Sequence, residues 1–248
     1  MKHLSKKLGV VALITATLAM CFVACKQTGN TGGGGGGGTQ EAPFVEGGVS
    51  LILSPDKLDI YVKVVTADSS PIQVQGCDES KIKSDASTGL HAKGTKVILK
   101  GNITKLYCAG NQLKGINVQG LTALEMFFCR DNQLIALNVQ GLTALRWLNC
   151  CNNQLTSLGV QGCSALKSLW CYGNQLNAEA MTELLKALPA HEAGGGAEAI
   201  LYTEETGKPE SNCKDFTTPE SLKGAFDEAK GKHWKLMKIN ASGYQADL

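Results

Sequence analysis

The sequence lacks the motifs by which most enzymes are recognised. It has no glycine-rich phosphate-binding loop, no paired carboxylates in a motif, no nucleophile elbow and no cluster of metal ligands. It has no C-x-x-C pair, and its histidines are scattered at His3, His91, His191 and His233, which argues against a zinc site. Catalytic groups can be assembled from distant residues, but an enzyme is the weakest class, and we expect no metal and no cofactor.

The chain also lacks an excess of charge of either sign. Its 24 basic and 22 acidic residues give a formal net charge of +2. Lys2, Lys6 and Lys7 lie in a segment that we expect to be removed, which leaves 21 basic residues against the 22 acidic ones. A near-neutral chain argues against nucleic acid as a partner.

An apolar run near the N-terminus predicts export across a membrane. Lys2, Lys6 and Lys7 precede the uncharged residues 10–24, which are too few for a comfortable membrane span. A basic start followed by a short apolar stretch is typical of a secretory signal, so we predict a signal peptide over residues 1–24.

The predicted signal ends at a cysteine that resembles the lipidated residue of a bacterial lipobox. Ala24 is a small residue directly before Cys25, whose thiol takes a diacylglycerol in that motif, although Phe22 stands where leucine is usual. Plain cleavage and an uncleaved anchor are the alternatives, and a cut before Cys21 would leave bulky Met20 beside it. Lipidation of Cys25 predicts a protein that acyl chains hold on a membrane and that does not span it.

Residues 25–47 read as a tether behind the lipidated cysteine. They have little apolar content and include seven consecutive glycines at 32–38. Polyglycine behaves as a flexible coil, and about 20 such residues reach roughly 25 Å. The folded part could therefore orient freely above a lipid surface.

One pattern is written four times between residues 102 and 176, at a spacing of 21 residues. The form L-x-x-L-x-C-x-x-N-x-L resembles a leucine-rich repeat with cysteine at one core position. The aligned columns are Cys108, Cys129, Cys150 and Cys171; Asn111, Asn132, Asn153 and Asn174; and Leu113, Leu134, Leu155 and Leu176. Such a period is typical of proteins in which each copy buries its apolar face against the next.

The period predicts an α/β solenoid. Leu106, Phe127, Leu148 and Leu169 alternate with their neighbours before each cysteine, which predicts one short strand per copy with one buried face. Stacked copies would form a short leucine-rich-repeat array with a parallel concave sheet.

The segments on either side of the repeats predict caps. In residues 48–101, the stretches 49–53, 58–64 and 95–99 read as strands, so we predict a β-rich N-terminal cap, with a small independent binding domain as the alternative. Residues 177–248 predict a βαβ-like C-terminal cap that continues the parallel sheet. Its predicted elements are a helix from Asn177 to Pro189, a strand at 200–202, a helix opening at 218–220 and a strand at 234–239.

The outward face of the predicted strands carries more aromatic and apolar residues than solvent favours. We predict that this face binds a protein or a glycan, because contiguous apolar patches of this kind mark contact surfaces. Cross-strand pairs that only stabilise a narrow sheet are one alternative, and cover by another part of the chain is a second. The predicted contact residues are Tyr107, Met126, Phe128, Arg130, Trp147, Asn149, Trp170 and Tyr172.

The cysteines of the repeats predict free thiols. Cysteines on adjacent parallel strands point their Cβ atoms the same way, which is a poor geometry for a disulfide. We therefore expect the column to act as small apolar core residues. Cys151 is predicted to lie on the exposed face, either as a plain solvent-facing residue or as one able to oxidise or cross-link.

Several of these features together resemble a known family. Cys25, the N-Q-L columns, the V-Q-G-L/C-T/S-A-L linkers and the helix from Asn177 to Pro189 resemble the cell-surface leucine-rich-repeat lipoproteins of spirochaetes and Bacteroidetes. The resemblance implies attachment to host cells, matrix proteins or other bacteria. We therefore expect a surface adhesin that binds proteins through its concave face. The alternative is a lipoprotein that faces the periplasm as a scaffold for envelope proteins.

Overall fold

The structure is a computed structural model that describes residues 42–248. The predicted signal peptide, Cys25 and most of the tether lie outside the described residues. Two helices occur in the described part, α1 (Ala178–Ala187) and α2 (Glu220–Gly231). The strands there are β1 (Gly48–Ile52), β2 (Asp59–Thr66), β3 (Ile72–Gln75), β4 (Lys81–Ile82), β5 (Ser87–His91), β6 (Lys96–Lys100), β7 (Ile103–Tyr107), β8 (Gly115–Asn117), β9 (Met126–Phe128), β10 (Leu137–Asn138), β11 (Trp147–Asn149), β12 (Leu158–Gly159), β13 (Ser168–Trp170), β14 (Ala197–Thr203), β15 (Trp234–Ile239) and β16 (Gln245–Asp247).

The predicted fold class is wrong. An α/β solenoid with a parallel concave sheet and a cap at each end does not describe this chain, which is mostly β-sheet. Three sheets are present among residues 42–248, and the largest has nine strands in the order β16-β15-β14-β13-β11-β9-β7-β2-β5. That sheet is mixed, because β2, β5 and β16 join it antiparallel. The 21-residue period predicts how the four copies pair with one another. It does not predict the strands that the flanking segments add to the sheet or the direction in which they pair.

The four copies supply the middle of the nine-stranded sheet. Strands β7, β9, β11 and β13 pair in parallel, and the aligned residues Lys105, Met126, Trp147 and Ser168 lie opposite one another. Similar copies stacked in register place equivalent positions side by side, so each buried column is continuous. The return segments hold short strands instead of helices, and β10 and β12 pair as a separate two-stranded parallel sheet.

The asparagine column holds neighbouring copies together. Asn153 Oδ1 accepts the backbone N–H of Leu134 at 3.1 Å, and its Nδ2 donates to the carbonyls of Cys129 and Cys150, both at 3.1 Å. Asn153 is itself buried, and its amide is the partner of the Leu134 N–H. It shares the two carbonyls with the asparagines of the neighbouring copies, since Asn132 also donates to Cys129 O and Asn174 to Cys150 O.

We call the column of Asn111, Asn132, Asn153 and Asn174 the amide ladder. The flanking segments continue it at both ends. Asn111 bonds the N–H and the carbonyl of Tyr61 in β2, both at 2.8 Å. At the other end, Asn212 Oδ1 accepts the N–H of Leu176 at 2.8 Å, and its Nδ2 donates to Cys171 O at 2.9 Å. Asn212 falls outside the 21-residue period, so the sequence pattern did not reveal it.

Each strand of the repeats is followed by a residue in the left-handed backbone region. Gly110, Asp131, Asn152 and Gly173 have φ of 70°, 57°, 53° and 66°. Glycine, asparagine and aspartate tolerate this conformation best. At Gly173 a Cβ would also lie 2.4 Å from Oδ1 of Asn152 and 3.1 Å from its backbone nitrogen, so a side chain there would force Asn152 to shift.

The N-terminal strands join the first copy through backbone pairing. Strand β2 pairs antiparallel with β7, and β1 pairs antiparallel with β8. A second sheet, in the order β4-β3-β6-β1-β8, faces the same core. The predicted strands near 49–53, 58–64 and 95–99 correspond to β1, β2 and β6, whereas β3, β4 and β5 were not predicted. The predicted domain boundaries remain predictions.

The C-terminal elements occur where the sequence indicated them. Helix α1 begins after Asn177, whose side chain accepts the N–H of Ala180 at 2.9 Å, as expected of a capping residue. Strands β14 and β15 extend the parallel run beyond β13, with α2 between them. Neither helix of residues 42–248 is long and apolar enough to cross a membrane.

Candidate functional site

The outward face of the nine-stranded sheet carries the residues predicted to make contacts. Alternation along each strand sends one set of side chains into the core and the other set outward. Phe127, Leu148 and Leu169 are buried in the core, while the residues on either side of them face outward. The register forms two outward rows: Met126, Trp147, Ser168 and Glu198, then Phe128, Asn149, Trp170 and Ile200.

These two rows enclose a depression of about 250 Å³, which we call the aromatic pit. Ser168 lies between Trp147 and Glu198 in the first row, and Asn149 lies between Phe128 and Trp170 in the second. Two small polar side chains are thus surrounded by three large rings and a carboxylate. This difference in side-chain size produces the hollow. Its lining residues are Phe128, Trp147, Leu148, Asn149, Ser168, Trp170 and Glu198.

Trp147 is the most open aromatic residue of the pit. Its side chain is 38% exposed, and Phe128, Asn149 and Trp170 are half-buried. A large indole that keeps this exposure on a folded sheet contributes little to the core. It is available to a partner.

Tyr107, Met126 and Phe128 form one wall beside the pit. The rings of Tyr107 and Phe128 meet edge to face, with centroids 5.1 Å apart and an interplanar angle of 88°. The hydroxyl of Tyr107 lies 3.6 Å from Sδ of Met126. These contacts are cross-strand pairs that stabilise the sheet, which was one alternative to a binding role for this face. They also fix the orientation of the Phe128 ring.

Trp170 and Tyr172 are partly covered by the C-terminal strands. Both pack against a small cluster of Ile200, Met237 and Ile239 on the outward side of β14 and β15. Cover by another part of the chain therefore applies to this end of the predicted surface. The half of the pit formed by Phe128, Trp147 and Asn149 has no such cover among residues 42–248.

Arg130 and Tyr172 lie at the bend beyond the strands and do not line the pit. Arg130 is exposed and forms an ion pair with Asp131. Tyr172 is half-buried, and burial raises the pKa of its hydroxyl. The structure thus places four of the eight predicted contact residues in the pit, Tyr107 and Met126 in the wall beside it, and Arg130 and Tyr172 away from it.

The prediction that Cys151 is exposed is wrong. Its side chain is 1% exposed, and burial raises its pKa to about 11. Alternation between the two faces requires extended backbone, and strand β11 ends at Asn149. The chain then bends at Asn152, and this turns the Cys151 side chain inward against Tyr172.

Glu198 is a pit residue that the sequence pattern missed. Its Oε1 accepts the hydroxyl of Ser168 at 3.2 Å and Nε1 of Trp170 at 3.5 Å. In the part of the chain that the structure describes, Glu198 forms no ion pair within 4 Å. The period could not reveal it because helix α1 is inserted between β13 and β14. The one signal in the sequence was indirect: the C-terminal segment was predicted to continue the parallel sheet, which would place a strand such as β14 beside β13.

A larger depression of about 380 Å³ lies along the amide ladder. It contains Oδ1 of Asn152, which is buried and has no hydrogen-bond partner among residues 42–248. Its one carboxylate, Glu210, already accepts the N–H groups of Gly173, Thr203 and Asn212 at 2.9, 2.6 and 2.8 Å. Its polar groups therefore serve the bend, and we regard the aromatic pit as the candidate site.

No group of three or more His, Cys, Asp or Glu side chains within residues 42–248 could hold a metal ion. Burial raises the pKa of the cysteine column, to about 12 for Cys108, so these thiols are poor nucleophiles.

Comparison of the chain with protein-family models, with curated proteins and with solved structures found no significant match. The site is therefore interpreted from its own geometry.

Proposed function

We propose that this is a lipid-anchored protein that binds other proteins through the outward face of its nine-stranded sheet, as an adhesin on the cell surface. The observation that carries the proposal is the aromatic pit, where Trp147 remains 38% exposed beside Phe128 and Asn149. Exposed aromatic anchors in a hollow of this kind are typical of the energetic centre of protein interfaces.

The rest of the proposal rests on the sequence. Cys25 at the end of an apolar leader supports a lipid anchor, and the glycine-rich residues 32–38 support a tether that lets the face meet large partners. The resemblance to bacterial surface lipoproteins supports attachment to host cells, matrix proteins or other bacteria.

The test compares cells that carry the full chain with cells that carry Trp147→Ala. Adhesion to immobilised matrix proteins and to fixed partner bacteria is measured. We expect binding to weaken at least about tenfold, because central aromatic anchors contribute more than about 1.4 kcal/mol each. Thermal unfolding of the variant should change much less than on removal of a core residue such as Leu148, because Trp147 lies outside the buried core.

The matched control is Tyr244→Ala, which removes a 71% exposed aromatic residue outside the pit. The control should adhere like the parent, at equal amounts of protein on the cell. Adhesion that survives Trp147→Ala would contradict the proposal. If intact cells do not adhere although the purified chain binds envelope proteins, the periplasmic scaffold is supported instead.

A further inference from the structure

We propose that the aromatic pit binds the guanidinium group of an arginine side chain presented by the protein partner. This inference rests on the proposed function, since it names the chemical group by which the partner is held. It is carried by the combination of aromatic walls, a small polar floor and one carboxylate that no cation of the described chain neutralises.

The walls of the pit suit a flat cation. The faces of aromatic rings carry negative electrostatic potential. Among tryptophan, tyrosine and phenylalanine, the indole of tryptophan attracts a cation most strongly. Trp147 and Trp170 stand diagonally across the floor from each other, and Phe128 closes a third side. A planar group can therefore stack on one ring and contact another.

The carboxylate of Glu198 supplies the matching charge. Its Oε1 is held by Ser168 and Trp170, while its Oε2 accepts no hydrogen bond from residues 42–248. The two bonds fix the carboxylate at the edge of the pit, with one oxygen free to accept from a ligand. Fixed acceptors beside aromatic walls lose little freedom when they bind.

The lysine that pairs with Glu198 across the sheet bonds a different carboxylate. Lys235 lies opposite Glu198 in the pairing of β14 with β15, but its ammonium bonds Asp247 at 2.9 Å. Strand β16 thus draws this lysine away from the pit. The charge of Glu198 is left for a partner.

Arginine fits these features better than lysine does. Its guanidinium is planar, stacks on aromatic faces and offers a fork of donors to a carboxylate, whereas the lysine ammonium is a compact and strongly hydrated charge. A neutral sugar ring could also stack on the indoles, but it would gain no ion pair from Glu198.

The experiment titrates the full chain with the peptide acetyl-Gly-Arg-Gly-amide and records tryptophan fluorescence. Two of the chain's three tryptophans line the pit, and the third, Trp234, is buried. We expect a saturable change in emission. The same peptide with citrulline in place of arginine keeps the shape but loses the charge, and it should bind about tenfold more weakly.

Two variants locate the binding. Glu198→Gln keeps the size of the side chain and should weaken the arginine peptide about tenfold while leaving the citrulline peptide unchanged. Asp227→Asn, an exposed carboxylate on helix α2, should change neither, because α2 packs on the opposite face of the sheet. Circular dichroism confirms that both variants are folded.

The outcomes separate this inference from the proposed function. Equal binding of the arginine and citrulline peptides, or no effect of Glu198→Gln, overturns the arginine site. Binding by a neutral oligosaccharide but not by the arginine peptide also overturns it and indicates a glycan ligand. If adhesion is lost in Trp147→Ala but kept in Glu198→Gln, the proposed function stands and the arginine site falls.

Discussion

Cys151 and the cysteine column show how local backbone geometry decides what one residue can do. Cys150 and Cys151 are adjacent in the chain and both are buried, one in the core and one beneath Tyr172 at the bend. The sequence suggested opposite environments, because the alternation was extended to Cys151, two residues beyond the end of strand β11. The chemical character of both thiols follows from burial, which disfavours the thiolate.

At the residue scale we predict that the cysteine column resists alkylation. Burial raises the pKa of Cys108 from 9.0 to about 12, so its thiolate fraction at pH 8 is roughly a thousandfold lower than that of an exposed cysteine. Iodoacetamide added to the native full chain should leave Cys108, Cys129, Cys150 and Cys171 unmodified, as read by peptide mass spectrometry.

The control for this labelling is within the same chain. Cys213 is partly exposed and should react in the native state, and all of these thiols should react once guanidinium unfolds the protein. Labelling of Cys150 at the same rate as Cys213 under native conditions would show that the column is open to solvent.

At the scale of an element, the amide ladder stabilises the contact between one strand and the next. We predict that Asn153→Ala lowers the free energy of unfolding by about 3 kcal/mol. The change leaves the buried N–H of Leu134 without a partner, which costs about 1–3 kcal/mol. It also removes one of the two amide donors to the carbonyls of Cys129 and Cys150, and each lost bond contributes about 0.5–1.5 kcal/mol. Urea unfolding measures the difference.

Gln154→Ala is the matched control for the ladder. Gln154 follows Asn153 directly, but its side chain is exposed and makes no hydrogen bond within residues 42–248. Its removal should change the unfolding free energy by less than about 0.5 kcal/mol. If both variants lower the free energy of unfolding by the same amount, the hydrogen bonds of the amide ladder do not stabilise the protein as proposed.

The repeats were the most predictable elements. Equivalent positions of successive copies lie side by side, so the spacing of 21 residues was enough to place Met126, Trp147 and Ser168 opposite one another. Glu198 and Asn212 could not be placed this way, because α1 and a loop break the period before them. The candidate site was therefore predicted as aromatic, and the carboxylate that gives it charge came only from the structure.

For the whole molecule, the period misled about the fold class. Four similar copies indicated a purely parallel sheet, but strand pairing is a property of backbone edges, which any flanking segment can meet in either direction. Strands β2 and β16 do so antiparallel. The aromatic face survives this difference, since the copies in the middle of the sheet keep their register.

At the same scale, the proposed membrane attachment can be tested by replacing one sulfur atom. We predict that Cys25→Ser moves the protein from the membrane fraction to the soluble fraction, because serine offers no thiol for the diacylglycerol. Fractionation followed by immunoblotting measures the distribution. Ala24 and the apolar run remain unchanged in this variant, and continued membrane association would contradict lipidation.

The amide ladder ends at Tyr61 on one side and at Asn212 on the other, and neither end depends on how many copies lie between them. A gene that gains or loses one internal unit of 21 codons would keep both terminal sets of bonds intact. The width of the outward aromatic face can therefore change by whole strands during evolution, while the closing of the core at both ends remains as it is.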